Sequence, residues 1–148
     1  MDCLFCKIAA LEVEAKVLAK NEDAVAILDI SPRAPGHTMV LPRVHADSIL
    51  DLKDSKLGSI FGLVKVMTGV LNKVFSPDGF TIGINHGRAA GQAVDHLHVH
   101  IIPRWRSDGG ASIHGVVNNP PHESLDEVER RIKIFFERYK GSIKWLKY

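Results

Sequence analysis

Cysteine is scarce in this chain. Cys3 and Cys6 are the only two in 148 residues, so a disulfide-stapled scaffold is not on offer. A Cys-x-x-Cys pair reads instead as metal ligands or redox thiols. An excess of one charge is also missing: 19 Lys and Arg against 17 Asp and Glu give a formal net charge of +2 at pH 7, too little to argue for nucleic acid or a membrane surface. No cluster of Lys and Arg is interleaved with aromatics, so a base-stacking groove is not expected. No apolar run reads as membrane-spanning, and Met1-Asp2-Cys3 does not open a signal peptide, which points to a cytoplasmic protein. Repeats, low-complexity segments and a linker are absent too, so one domain over residues 1–148 is expected, large enough for a real core.

What is present is ordinary for a globular chain: 45% hydrophobic and 24% charged residues. Apolar segments at 17–19 and 25–28 flank Asn21-Glu22-Asp23 and read as a hairpin. Two prolines and a glycine make residues 29–36 a loop. A strand is expected over 37–41, stopped by Pro42. Between 57 and 75, apolar residues recur at Leu57, Ile60, Phe61, Val64, Met67, Val70, Leu71 and Val74, a helical spacing. Ser76-Pro77-Asp78-Gly79 ends that helix, and a strand follows over 80–84. A glycine-bearing loop, 85–91, leads to the next strand. Residues 105–121 are irregular, and a second amphipathic helix spans 123–139 with Gly141 after it. Strands joined by short turns with an inserted helix give an antiparallel sheet and an α+β class.

The chemistry is concentrated at His96-Leu97-His98-Val99-His100-Ile101-Ile102. Side chains alternate along a strand, so three imidazoles would share one face while Leu97, Val99 and Ile101 fill the other. A strand built for stability alone would favour Val, Thr or Tyr at those positions. Three readings stand side by side: a half-buried strand that happens to carry histidines, a catalytic metal held by His96, His98 and His100, and a histidine nucleophile attacking phosphorus between supporting imidazoles. The preceding Gly87-Arg88-Ala89-Ala90-Gly91-Gln92 favours the third. Glycines let a phosphate approach main-chain N–H groups, and the Gln92 amide can bond a phosphate or bridging oxygen.

Residues 92–102 resemble the signature of the histidine triad (HIT) superfamily, His-φ-His-φ-His-φ-φ with φ apolar. The likeness extends through Cys3-Leu4-Phe5-Cys6-Lys7-Ile8, Asp29-Ile30-Ser31-Pro32-Arg33-Ala34-Pro35-Gly36-His37 and Asn85. It implies a HIT-like α+β fold with an antiparallel sheet of about five strands, a central helix and a C-terminal helix. It also implies a homodimer, and hydrolysis or transfer of nucleotidyl groups from nucleoside phosphoramidates or dinucleoside polyphosphates. By resemblance His98 is the nucleophile, and His100 and His37 support it. Asp29 would take the ribose hydroxyls of a purine nucleotide; on turn chemistry alone it caps the Ser31-Pro32 bend. Asn85, Gly91, Gln92 and Ala93 match the phosphate loop, where Ala93 replaces the Ser or Thr of some members and offers only its backbone N–H. Leu4, Phe5, Ile8 and Ile27 match the apolar wall beside the base; without the resemblance they read as core.

Cys3, Cys6, His45 and His96 form a tetrahedral zinc set by residue type, with two reduced thiols as the bland alternative. The resemblance favours a structural zinc and requires no catalytic metal. Two further functions compete with the hydrolase: a nucleotide-sensing binding protein with weak catalysis, and a metal-dependent hydrolase using the histidine cluster.

Overall fold

The computed structural model describes residues 3–139. In chain order these form α1 (Leu4–Ala9), β1 (Val17–Lys20), β2 (Ala24–Leu28), β3 (Thr38–Pro42), α2 (Asp54–Phe75), β4 (Gly79–Gly83), β5 (Val99–Arg104) and α3 (Leu125–Arg138). Single 3₁₀ turns lie at Arg88–Ala90 and Ile113–Gly115. The strands make one five-stranded sheet in the order β1-β2-β3-β5-β4, every neighbouring pair antiparallel. The α+β class and the sheet read from the sequence are those of the structure.

β2 is apolar throughout and β3 nearly so, because both faces of the sheet are covered there. On one face Ala24, Ala26, Val40, Val99 and Ile101 meet Ile60, Leu63, Val64, Met67 and Leu71 of α2. On the other, Val25, Ile27, Met39 and Leu41 meet Phe5, Ile8 and Ala9 of α1. Only one stripe of α2 is buried, Ile60, Leu63, Val64, Met67 and Leu71, while Phe61, Val70 and Val74 of the expected apolar spacing are exposed. Lys56 reaches Asp23 at 2.6 Å, and Asn21 Nδ2 donates to Ser59 O at 3.0 Å, which tie the β1–β2 turn to the start of α2. Ser76 ends α2 in the left-handed region, φ 47°, its N–H returning to Asn72 O.

Two expectations need correcting. α2, 22 residues long, is by length and composition able to cross a membrane, where the sequence leads one to expect no such run. Here one stripe of it packs on the sheet. The short α1 was also not anticipated: its Leu4, Phe5 and Ile8 have helical spacing over too few residues to read as a period.

The chain divides into two compact units, Met1–Ile113 and His114–Tyr148. The first holds the sheet with α1 and α2. In the second, Ser124 caps α3 by accepting from Glu127 N at 3.2 Å, and Glu123–Arg131, Glu127–Arg130 and Glu129–Lys133 ion pairs line the helix. Leu125, Ile132, Phe135 and Tyr139 on its apolar side are exposed. Gly141, expected to end it, lies outside the described residues.

Candidate active site and cysteine–histidine cluster

Strand register brings the first group of residues together. The β2–β3 ladder ends at Leu28 opposite Thr38, and Asp29 N donates to His37 O at 3.0 Å. The β3–β5 ladder sets Met39 opposite His100. Asp29, His37 and His100 thus gather at the ends of three adjacent strands. His37 Nε2 and His100 Nδ1 are 3.0 Å apart, and Asp29 Oδ2 stands 3.5 Å from the first and 3.9 Å from the second. Asp29 Oδ1 accepts from Ser31 N at 2.8 Å, so the turn reading of this aspartate is realised while the second oxygen faces the histidines.

The three histidines of 96–100 keep the alternation but not the strand. β5 begins at Val99, and the chain bends at His96, where His96 N donates to Val94 O and Leu97 N to Ala46 O. Leu97, Val99 and Ile101 do fill the α2 side. The imidazoles separate: the His98 ring lies edge-on to His100 at 4.9 Å and to Phe5 at 5.3 Å, whereas the His96 ring turns to the cysteines. Among the described residues, the ligand atoms of His96, His98 and His100 form no common cluster. One metal shared by those three is therefore not a reading this geometry favours.

His98 is almost wholly buried and donates its Nδ1–H to the His96 carbonyl at 2.7 Å. A neutral imidazole bonded this way carries its lone pair on Nε2. Burial, aided by its histidine neighbours and opposed by Asp29, lowers the His100 pKa to about 4. Burial also lowers that of His37, against the pull of Asp29 and with a contribution from Arg33. Both rings are neutral at pH 7.

The β4–β5 connection carries the glycine-bearing loop. Gly87 and Gly91 have φ of 81° and 90°, backbone that glycine accepts without strain. Within the loop, the N–H groups of Ala90, Gly91 and Gln92 bond to main-chain carbonyls, and Gly87 N bonds to Gln92 Oε1 at 2.7 Å. Gln92 Nε2 donates to Asp47 O at 2.7 Å and Val94 O at 3.0 Å. The amide expected to meet phosphate is here the staple of the loop. Asn85, Gly91 and Ala93 are exposed along it. Of the apolar residues matched to the base wall, Phe5, Ile8 and Ile27 are buried in the core, and only Leu4 is exposed.

A second cluster lies on the far side of His96. Its Nδ1 is 3.4 Å from Sγ of both Cys3 and Cys6, and His45 Nδ1 is 3.2 Å from Cys6 Sγ. A tetrahedral zinc with ordinary Zn–N and Zn–S bonds spaces such atoms about 3.5 Å apart. The outer nitrogens are also satisfied: His96 Nε2 bonds Pro42 O at 3.0 Å, and His45 Nε2 meets Asp47 Oδ1 at 2.9 Å. Both rings thereby turn an unprotonated Nδ1 toward the sulfurs, as outer partners of metal-bound histidines do. The residues fit a zinc ion. Burial pushes the Cys6 thiol up, with Cys3 adding to the effect.

A cavity of about 520 Å³ opens elsewhere, beside β4, between Phe80, Ile82, Arg104, Trp105 and Ile113. No histidine of the site lines it. Its guanidinium is already held by Asp108 through two bonds, at 2.6 and 2.9 Å, and by Thr81 at 2.9 Å. The chemistry therefore points to the histidine cluster.

The model of the HIT domain matches residues 10–107. The chain belongs to the HIT family. It is 44% identical over 131 residues to an uncharacterised HIT-like protein of Methanocaldococcus jannaschii, covering 88% of this chain and 98% of that one. It is 37% identical over 113 residues to the adenosine 5′-monophosphoramidase of Schizosaccharomyces pombe, covering 76% and 82%. Among solved structures, a HIT family protein from Bacillus anthracis superposes with a TM-score of 0.81 at 30% identity, over 94% of this chain and 98% of that one. A zinc-bound histidine triad family protein from Mycobacterium smegmatis superposes with a TM-score of 0.68 at 26% identity, over 97% and 99%. As a HIT protein, the chain is one of a nucleotide-binding hydrolase family.

Proposed function

We propose that this HIT protein hydrolyses a bond at the α-phosphate of adenosine phosphoramidates or dinucleoside polyphosphates through a nucleotidyl-histidine at His98. The observation that carries the reading is the 2.7 Å bond from His98 Nδ1–H to the His96 carbonyl. It holds the buried ring in one orientation and, in the neutral ring, leaves the lone pair on Nε2, as an in-line nucleophile needs. The Nε2 lone pair forms the bond to phosphorus, and the bond to the leaving amine or phosphate breaks with its electron pair, the amine taking up a proton that the attacking water later returns. A water then attacks the same phosphorus, the P–N bond to His98 breaks, and the mononucleotide leaves. Asp29 Oδ2 accepts from the ribose, and loop 85–93 receives the phosphate. The phosphoramidase among the relatives supports the P–N substrates.

Cys3, Cys6, His45 and His96 would hold a structural zinc, which supplies no step and joins the N-terminal segment to the sheet. The exposed Phe61, Val66, Val70 and Val74 on the outer side of α2 support a homodimer. Two cysteines free of a disulfide agree with a cytoplasmic location.

The test is to expose the protein to a slow adenosine phosphoramidate, quench, and locate the adduct by mass spectrometry. Nucleotidyl label on His98 is expected. Turnover with no label on that ring, or turnover that survives His98→Ala, rejects the reading.

A further inference from the structure

We infer that the main-chain N–H of Arg33 is a positioning group that fixes the tautomers of His37 and His100, so that His100 presents a hydrogen-bond donor, Nε2–H, to the site. Arg33 N lies 3.2 Å from His37 Nδ1, in hydrogen-bond geometry. A peptide N–H can only donate, so His37 Nδ1 must hold a lone pair. A neutral imidazole has one proton, which is then on His37 Nε2. That nitrogen is 3.0 Å from His100 Nδ1. Two protons cannot meet across that distance, so His37 donates, His100 Nδ1 accepts, and the single proton of His100 sits on Nε2.

Nothing nearby competes. Asp29 Oδ2, at 3.5 and 3.9 Å, is too far to take either proton in a good hydrogen bond. The bend that supplies the donor is itself closed. His37 N donates to Ala34 O at 3.1 Å, and Ser31 N to Asp29 Oδ1 at 2.8 Å. Burial favours the neutral form of both rings, which keeps one proton on each.

Asp29, His37 and His100 would also suit a cation by residue type, but this chain of bonds puts a proton rather than a lone pair between the two rings. The functional consequence rests on the reading above. His98 meets phosphorus as a lone pair, and His100 meets the departing or equatorial oxygens as a donor, the complementary pairing for a negatively charged transferring group.

The tautomers can be read directly. In the full-length protein as purified, labelled with ¹⁵N-histidine, two-bond ¹⁵N–¹H correlation near pH 7 distinguishes Nδ1–H from Nε2–H rings. His37 and His100 are both expected as Nε2–H. Either ring in the Nδ1–H form, or an even mixture, overturns the inference. His37→Gln offers an N–H in place of the ring and should keep His100 as Nε2–H, whereas His37→Glu can only accept and should draw the His100 proton to Nδ1. The same His100 tautomer in both variants overturns the relay. Replacing the Arg33 amide by an ester, through arginine's α-hydroxy analogue, removes the N–H alone and should shift both rings toward mixed tautomers; unchanged rings would remove Arg33 from the account. The unmodified protein decides the matter if a variant does not fold. Because no arm uses turnover, correct tautomers together with an unlabelled His98 would sink the proposed reaction and leave this inference standing.

Discussion

His98 donates its ring Nδ1–H to the carbonyl of His96 at 2.7 Å, and the ring of that same His96 faces Cys3 and Cys6 at 3.4 Å each. One residue therefore belongs to the cysteine–histidine cluster through its side chain and to the candidate nucleophile through its main chain. The ring that faces the thiols is only two residues along the chain from the candidate nucleophile.

Loss of the cluster should therefore cost stability first and chemistry second. Cys6→Ser removes one of the two sulfurs proposed to hold the zinc without emptying the space. It is expected to lower bound zinc from about one per chain to a small fraction and to cost about 2 kcal/mol or more, a fall in Tm of roughly 4–8 °C. Metal analysis and calorimetry read these directly. The rate of nucleotidyl-His98 formation should fall several-fold, because the carbonyl that orients the nucleophile is less fixed. An unchanged Tm with full zinc loss would show that the cluster does not support the fold.

Asp29 accepts from Ser31 N through one oxygen, and the proposed ribose contact would use the other, so a conservative substitution separates the two. Asp29→Asn keeps an oxygen to accept from Ser31 N but removes the charge facing His37. Hydrogen bonds to a charged acceptor are worth about 1.5–3 kcal/mol, so AMP affinity should drop by roughly 10- to 100-fold. The preference for AMP over deoxy-AMP should shrink with it. Calorimetric titration with both nucleotides checks this. Equal affinity for the two in the unmodified protein would take the ribose role from Asp29.

The fold was readable wherever periodicity runs long enough. The α2 helix, the hairpin around Asn21 and the Leu97–Val99–Ile101 alternation appear where spacing puts them, although of the apolar positions in α2 the structure buries Ile60, Val64, Met67 and Leu71 and exposes Phe61, Val70 and Val74. What spacing could not show is pairing between distant segments. Asp29, His37 and His100 meet only because β2, β3 and β5 are neighbours in register, and nothing local at residue 29 points to residue 100. The resemblance to HIT proteins, not the pattern, placed them together. The same limit explains His96. Its place in the alternation says nothing of the bend at 94–96 that turns its ring toward Cys3, 93 residues away in sequence. Gln92 is a different case, its amide bonded here to Gly87 N, Asp47 O and Val94 O. An amide in a glycine loop is equally suited to a phosphate and to the loop's own carbonyls, and only the fold decides.

Gly36 should tolerate no side chain. Its φ is +80°, and an added Cβ would stand 2.6 Å from Phe75 Cε2 and 3.1 Å from Leu71 Cδ2. Gly36→Ala combines left-handed strain with overpacking, together about 1–3 kcal/mol. Urea unfolding should show the loss, and pairing it with Phe75→Leu should recover the steric share only. Because His37 follows immediately, the His37 ring resonances should also move. A stability within error of the parent would mean that the bend is not held as described.

Acid should weaken this fold before its carboxylates titrate. In the unfolded chain His100 titrates near 6.5; in the folded protein burial holds its pKa at about 4. Between those values the unfolded state binds more protons than the native one, so stability rises with pH and is lost as pH falls below about 6.5. His100 alone accounts for about 2 kcal/mol of that loss at pH 5. His37, lowered in the same direction, adds to it. The lowered carboxylates, Asp23 among them, lose their contribution only below the ordinary carboxylate range, so the interval from pH 7 to 5 isolates the histidines. Urea midpoints should fall steadily across it, and His100→Asn should flatten the slope by its share. A midpoint that stays constant from pH 7 to 5 would mean that the ring is already charged or well solvated in the native protein, and the neutral donor at His100 would be lost with it.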